Sequence, residues 1–307
     1  MNPLFGISLK VCSVVVFMAM AALIKATDGT VPAGQVVFFR SLFAIPIIVA
    51  WLLLRGQLRE GLHTRNPLGH VWRGLCGTTA MGLGFAALAL LPLPEVTAIG
   101  YAAPLLTVVF AAMFLGEEVR IFRIATVAMG LVGVLIILSP RLSGVSDGAI
   151  DNGEAFGAML VLTGAVFSAL AQVFVRKLVT AEKVTAIVFY FSLTATGISL
   201  ITLPFGWVVP DARTAATLIA AGLLGGVGQV LLTSSYRYAH ASVVAPFEYA
   251  SMVLALLVGY FIFDEAPTLV VLAGAAIVVS AGILIIWRER QLGLERARQR
   301  QSMTPQG

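Results

Sequence analysis

Between Val96 and Gly116 the chain runs 21 residues without a charged side chain, and Pro104 stands in the middle of that run. A length of ~20 apolar residues is what a helix needs to cross the hydrocarbon core of a bilayer. In water an interior proline would break such a helix. In a membrane, neighbouring helices can satisfy the backbone groups that the proline frees. Glu95 opens the run, and Glu117 and Glu118 close it. A related stretch returns at 242–266, where Tyr249-Ala250 stands 148 residues after Tyr101-Ala102 and Glu265 stands 148 after Glu117.

Composition agrees with a chain made of such segments. Of 307 residues, 59% are hydrophobic and 11% are charged, against about 25% charged in soluble domains. The expected class is therefore an all-α integral membrane protein. The net charge of +5 does not point to nucleic acid, because the cations sit in short loops between apolar runs. Cys12 and Cys76 both lie inside apolar runs, with neither metal-ligand spacing nor a disulfide framework. The first apolar run, 4–24, is longer than a signal-peptide core and is read as a spanning helix.

Ten spanning segments are expected, near 4–25, 34–54, 69–91, 96–116, 121–139, 155–176, 184–204, 213–236, 242–263 and 267–287. Their loops alternate in charge. One set, with the C-terminus, carries 15 lysines and arginines, Arg73 counted among them; the opposite set carries three, Lys25, Arg141 and Arg213. Lys10 and Arg40 fall inside helices. The charge rule puts both termini in the cytoplasm. The halves also repeat: Ala-Ala-Leu-Ile-Lys25 corresponds to Gln-Val-Phe-Val-Arg176, and Phe38-Phe39-Arg40-Ser41 to Phe189-Tyr190-Phe191-Ser192, both at a spacing of 151. Five helices per half send the two halves through the membrane in opposite senses, the inverted repeat of secondary transporters. The expected organisation is a first repeat at 4–140, an external linker at 141–154, a second repeat at 155–288 and a cytoplasmic tail at 289–307.

These features resemble the drug/metabolite transporter superfamily with two EamA-type repeats. The carrying residues are Glu95, Tyr101-Ala-Ala-Pro104 and Gly116-Glu117, followed by Gly130 and Gly133; the second copy reads Tyr249-Ala250, Asp264-Glu265, Gly274 and Gly282. The resemblance covers nearly the whole chain. It implies a central cavity surrounded by the first four helices of each half, with the fifth and tenth outside, and a metabolite as cargo. Met252 stands where the first copy has Pro104, and Pro246 comes earlier, so the two copies are expected to bend at different depths.

Polar side chains inside spans mark the candidate substrate-binding residues: Arg40, Tyr101, Gln172, Gln229, Glu248 and Tyr249. Arg40 is either a cation facing a substrate carboxylate or phosphate, or a side chain reaching for the headgroups. Glu248 is either a coupling carboxylate or amine partner, or an interfacial acid paired with Arg237 or His240. Gln172 and Gln229 suit hydrogen bonding to a substrate or between helices. Tyr101 and Tyr249, related by the repeat, suit a ring-bearing substrate or helix packing. The fourth and ninth helices are expected to face each other across the cavity. Glu117-Glu118 and Asp264-Glu265 read as helix ends at the water interface, not as catalytic pairs. Gly74, Gly77, Gly82 and Gly84, with Gly222, Gly225, Gly226 and Gly228, read as close helix contacts, since no Gly-Lys-Ser/Thr ending makes a nucleotide loop.

The expected function is secondary transport of a small organic metabolite, such as an amino acid, a vitamin like riboflavin or a nucleoside-like compound, across the inner (plasma) membrane by alternating access. The competing readings are a lipid-modifying membrane enzyme and a non-transporting scaffold. Scattered histidines (His63, His70, His240) and the inverted repeat argue against both. No cofactor, no metal and no nucleic acid is expected. The expected partners are a small-molecule substrate, the bilayer and, as one oligomeric state, a second copy of the chain.

Overall fold

The computed structural model describes residues 3–115, 121–146, 152–178, 181–238 and 245–303. Among these the chain is helical throughout, with no strand. The first half comprises α1 (Pro3–Lys25), α2 (Ala33–Leu42), α3 (Ala44–Leu54), the short α4 (Leu58–Gly61), α5 (Pro67–Leu88), α6 (Leu93–Gly100), α7 (Ala102–Leu115) and α8 (Ile121–Ser146). The second comprises α9 (Asn152–Leu178), α10 (Val184–Leu200), α11 (Ala212–Tyr238), a 3₁₀ turn (Ala245–Tyr249), α12 (Ala250–Phe263) and α13 (Leu269–Met303). Among the described residues, six stretches are long and apolar enough to cross a membrane: Leu4–Lys25, Ala33–Leu54, Leu93–Phe114, Gly153–Val175, Ala212–Leu232 and Leu269–Arg288. Ile124–Pro140, Val184–Leu200 and Phe247–Phe263 are shorter apolar helices. Helix α5 is as long as these but carries His70 and Arg73. Large apolar side chains such as Leu54, Phe114, Phe261 and Leu269 are exposed on the outside of the bundle, which suits lipid and not water.

Two spans are broken by proline at the same offset. A proline ring clashes with the carbonyl four residues back. For Pro46 that carbonyl belongs to Leu42, and α2 ends there; for Pro104 it belongs to Gly100, and α6 ends there. The single residues left between the paired helices are Phe43 and Tyr101. In the corresponding stretch of the second half, Tyr249 ends the 3₁₀ turn that carries Pro246 and is the N-cap of α12. The α-helix is thus interrupted at matched tyrosines in the two copies although their prolines differ.

The pairing of helices has an internal symmetry. Helix α1 packs on α11, and its counterpart pair is α9 on α5; α2 packs on α10, α6 on α12 and α8 on α13. Exchanging the halves leaves this pattern unchanged. Glycine sets the closest approach. A Cβ on Gly133 would lie 2.9 Å from the Gly274 carbonyl, and one on Gly274 would lie 2.7 Å from that of Gly133, so α8 and α13 meet backbone to backbone. Gly222, Gly225, Gly226 and Gly228 lie against α1, α2 and α3, as expected for packing glycines. The first set is different: a Cβ on Gly74 or Gly77 would clash, whereas one on Gly84 would meet nothing within 4 Å.

Two boundaries differ from the sequence expectation. Helix α8 continues past Pro140 to Ser146, and α9 begins at Asn152, so most of the expected linker 141–154 is helical where described. One proline removes one hydrogen bond and bends a helix without having to end it. Helix α13 likewise runs on to Met303, through most of the expected tail. Glu117, Glu118 and His240 lie outside the described residues, as do the side chains of Arg176 and Arg237.

Candidate functional site

A cavity of about 350 Å³ lies among α5, α6, α7, α9 and α10, within the range of small-molecule sites. Most of its wall is small or apolar. The polar exceptions are Arg73, Ser168 and Gln172, and Arg73 is the one charged residue on the wall. Gly84 and Gly100 face open space there.

Helix α5 places Arg73. Its first turn is set by Asn66, whose side chain accepts the Gly69 N–H at 2.9 Å, and by Pro67 at the first helical position. Arg73 follows at the end of the second turn, inside the helix and not in the loop where the charge count puts it. Gly77, one turn on, leaves room for the guanidinium: a Cβ there would be 3.0 Å from Arg73 Nη1. The guanidinium lies over the Phe191 ring, its Cζ 3.5 Å from the centroid. Phe191 is buried on α10 and also forms part of the wall.

Arg40 approaches the same ring. It sits in the last turn of α2, 5% exposed, with Cζ 5.6 Å from the Phe191 centroid. Gly225 of α11 makes room, since a Cβ there would be 3.2 Å from Arg40 Nε. The side chain therefore points into the bundle and is not extended toward an interface. Among the described residues, Nε and Nη1 of both arginines are buried without a hydrogen-bond partner, as are Ser41 Oγ, Thr78 Oγ1 and the ring nitrogens of His70. Such buried polar atoms without a hydrogen bond are uncommon in native interiors; His70 Nε2 does lie 3.8 Å from Glu182 Oε2.

The other candidates fall in different places. Gln172 is exposed and stands on the cavity wall; Gln229 is half-buried on α11 and is not on it. Tyr101 and Tyr249 do not face each other across a space. Their rings meet edge to face at 5.1 Å, because α6 and α12 pack directly. The partner that the structure shows for Glu248 is Lys10, 238 residues away, with the carboxylate 53% exposed and Lys10 buried.

Ion pairs and caps tie the halves at both ends of the bundle. At the end poor in cations, Lys25 pairs with Glu265 at 2.8 Å and donates to the carbonyls of Leu88 and Leu91. Glu265 also accepts the Leu93 N–H at 2.8 Å, capping α6 from the other half. Asp264, at φ 53°, turns the chain so that Glu265 N–H bonds the Gly259 carbonyl. Glu265 is thus an engaged group as well as a helix end. At the arginine-rich end, buried Glu182 accepts from Thr64 Oγ1 and from the N–H groups of Arg65 and Asn66 at 2.7–3.0 Å. Burial alone would raise the Glu182 carboxyl, but these donors outweigh it and hold it below its ordinary value. Lys183 beside Glu60 holds that exposed carboxyl low as well.

Arg73, Phe191 and Lys10 escaped the sequence reading. Arg73 left one signal, a glycine one turn ahead of a cation inside an expected span. Phe191 left another, its place in the repeat beside Arg40. Lys10 left none that names its partner.

Comparison with known proteins places these features in context. The sequence matches the profile described as the EamA-like transporter family twice, over residues 4–139 and 155–287. It is 31% identical over 284 residues to the pseudopaline exporter CntI of Pseudomonas aeruginosa, covering 91% of this chain and 95% of that one. It is 26% identical to the S-adenosylmethionine uptake transporter of Rickettsia bellii, covering 93% and 94%, and 28% identical to the riboflavin transporter of Rhizobium johnstonii, covering 84% and 82%. A crystal structure of the same fold aligns with a TM-score of 0.65 at 22% identity, covering 94% and 98%. With two profile matches that together take in most of its length, the chain belongs to the EamA-like transporter family.

Proposed function

We propose that this protein is a secondary carrier that moves a small organic metabolite across the inner membrane by alternating access. In this reading ten helices cross the bilayer as two inverted five-helix repeats, 4–140 and 155–288, with both termini in the cytoplasm. The observation that carries it is the cavity: a small-molecule-sized space with a cation, an amide and a hydroxyl on its wall, inside a bundle whose outer surface is apolar. Relatives named for pseudopaline, S-adenosylmethionine and riboflavin support an organic metabolite as cargo. Their names include both export and uptake, and the direction here follows the gradients that the carrier meets. Gln172 and Arg73 contact the substrate, and Arg40 lies behind them. Tyr101, Tyr249 and Glu248 hold the hinge between the fourth, ninth and first spans, and Gln229 joins helices.

Alternation would use the ties at the two ends. Opening the cation-poor end requires Lys25 and Glu265 to part; opening the arginine-rich end requires the Glu182 loop contacts to part. Purified protein in liposomes, preloaded with a mixture of amino acids, flavins and nucleosides, tests the proposal by counterflow of each labelled compound. Saturable exchange of one class is expected. Correctly inserted protein that exchanges none of them would contradict it.

A further inference from the structure

We infer that the cavity is an oxyanion site: Arg73 meets a carboxylate of the substrate directly, and Arg40 supplies a second positive charge from beside the same Phe191 ring. This deepens the carrier reading and rests on it. An arginine cannot escape burial by losing its proton. A buried charge is costly unless it is paired and hydrogen-bonded. Both guanidiniums nevertheless have two buried nitrogens without partners. Among the described residues no carboxylate reaches either one. Lys10 engages Glu248, Lys25 engages Glu265, loop N–H groups engage Glu182 and Lys183 engages Glu60. The compensation present is the π face of Phe191, which both cations share at 3.5 and 5.6 Å.

The unsatisfied atoms also define the chemistry of what is missing. Guanidinium nitrogens are donors only, so the orphaned atoms of Arg73 and Arg40 are donors. Orphaned guanidinium donors call for a ligand that carries acceptors. A carboxylate is the acceptor that gives a guanidinium its strong, charge-assisted hydrogen bonds. Gln172 and Ser168 on α9 can bond the neutral parts of the same molecule, and the open faces of Gly84 and Gly100 leave room for its body. A cationic or neutral substrate would leave both charges uncompensated.

The test uses matched four-carbon probes on the purified full-length protein in detergent, at constant ionic strength: succinate, its diamide and 1,4-diaminobutane. Thermal unfolding is expected to shift upward by several degrees with succinate and not with the other two. Arg73→Gln is expected to abolish that shift and to raise the melting temperature of the unliganded protein, since it removes an unpaired buried charge; Arg40→Gln is expected to do the same with a smaller loss of the succinate shift. Equal shifts with the diamide or diamine, no shift with succinate, or a full succinate shift retained in Arg73→Gln would overturn the proposal. So would a lowered melting temperature in both variants, which is the result for arginines with a purely structural role. Native mass spectrometry adds one arm: a copurifying phospholipid lost specifically in Arg73→Gln would mean that the oxyanion is a lipid headgroup and would overturn a soluble substrate. Counterflow keeps the two claims apart. Exchange of a cationic metabolite would end the anion assignment and leave the carrier standing, whereas anion-dependent stabilisation without exchange of any solute would do the reverse.

Discussion

Tyr101 and Tyr249 meet edge to face with ring centroids 5.1 Å apart, Tyr101 between α6 and α7 and Tyr249 at the start of α12. Tyr101 Oη lies 2.6 Å from Ser251 Oγ, and Ser251 spends its own hydrogen on the Glu248 carbonyl at 2.7 Å. The tyrosine is therefore the donor, and the bond joins the break between α6 and α7 to the start of α12. Tyr101→Phe should cost about 1 kcal/mol, the net worth of one hydrogen bond. A double-mutant cycle of Tyr101→Ala with Tyr249→Ala should show a coupling of about 0.5–1.5 kcal/mol from the ring pair, read by reversible unfolding in mixed micelles. Additive effects would remove the pair as a unit.

The same hinge has no room on its far side. A Cβ on Gly282 would fall on Tyr249 Oη. Gly282→Ala should lower stability by about 1–3 kcal/mol, as overpacking does, and Tyr249→Phe in the same chain should recover part of the loss. A neutral Gly282→Ala would show that the ring moves aside freely.

Much of this hinge was legible in the chain itself. The spacing of 148 residues relates Tyr101 to Tyr249, and Pro104 marks the break. Spans emerge because an uncharged run of ~20 residues has few alternatives. What stayed hidden is which face of each span points inward. Helices surrounded by lipid are apolar on all sides, so periodicity does not separate lipid from cavity. Arg73 therefore counted as a loop cation, although it stands in a helix with Gly77 opening space beside it. Lys10 and Glu248 are 238 residues apart, a pairing that only packing reveals.

The tie at the cation-poor end should behave as a coupled unit. The Lys25 and Glu265 side chains are mostly buried, so removing one partner leaves the other charge uncompensated, a loss of about 3 kcal/mol or more. Lys25→Glu should lower both melting temperature and exchange rate. Combining it with Glu265→Lys should restore part of each; the rest reflects the bonds that Lys25 makes to Leu88 and Leu91 and that Glu265 makes to Leu93. A double variant no better than the single one would show that the charges do not act on each other.

Glu182 gives the fold a defined acid sensitivity. Its folded carboxyl is held below the ordinary value of 4.5. The stabilisation is therefore present above that value and is lost as pH falls through the lower, folded one. Melting temperatures of wild type and Glu182→Gln should differ at pH 6–7 and converge as pH drops below about 4.5. Glu182→Ala should cost about 1–3 kcal/mol at neutral pH by orphaning the Arg65 and Asn66 N–H groups. A gap between wild type and Glu182→Gln that widens in acid would reverse the assigned sign.

The central claim is that solute passes through the Arg73-lined cavity, and Gly84 tests it most directly. A Cβ at Gly84 meets no atom of another element within 4 Å, so alanine fits there without displacing a neighbour and a longer side chain extends into the cavity. Exchange by Gly84→Ala and Gly84→Leu in liposomes, measured at equal inserted protein, should fall stepwise and approach the protein-free leak in Gly84→Leu, with melting temperature held within a few degrees of wild type. Wild-type exchange by a normally folded Gly84→Leu would place the path elsewhere.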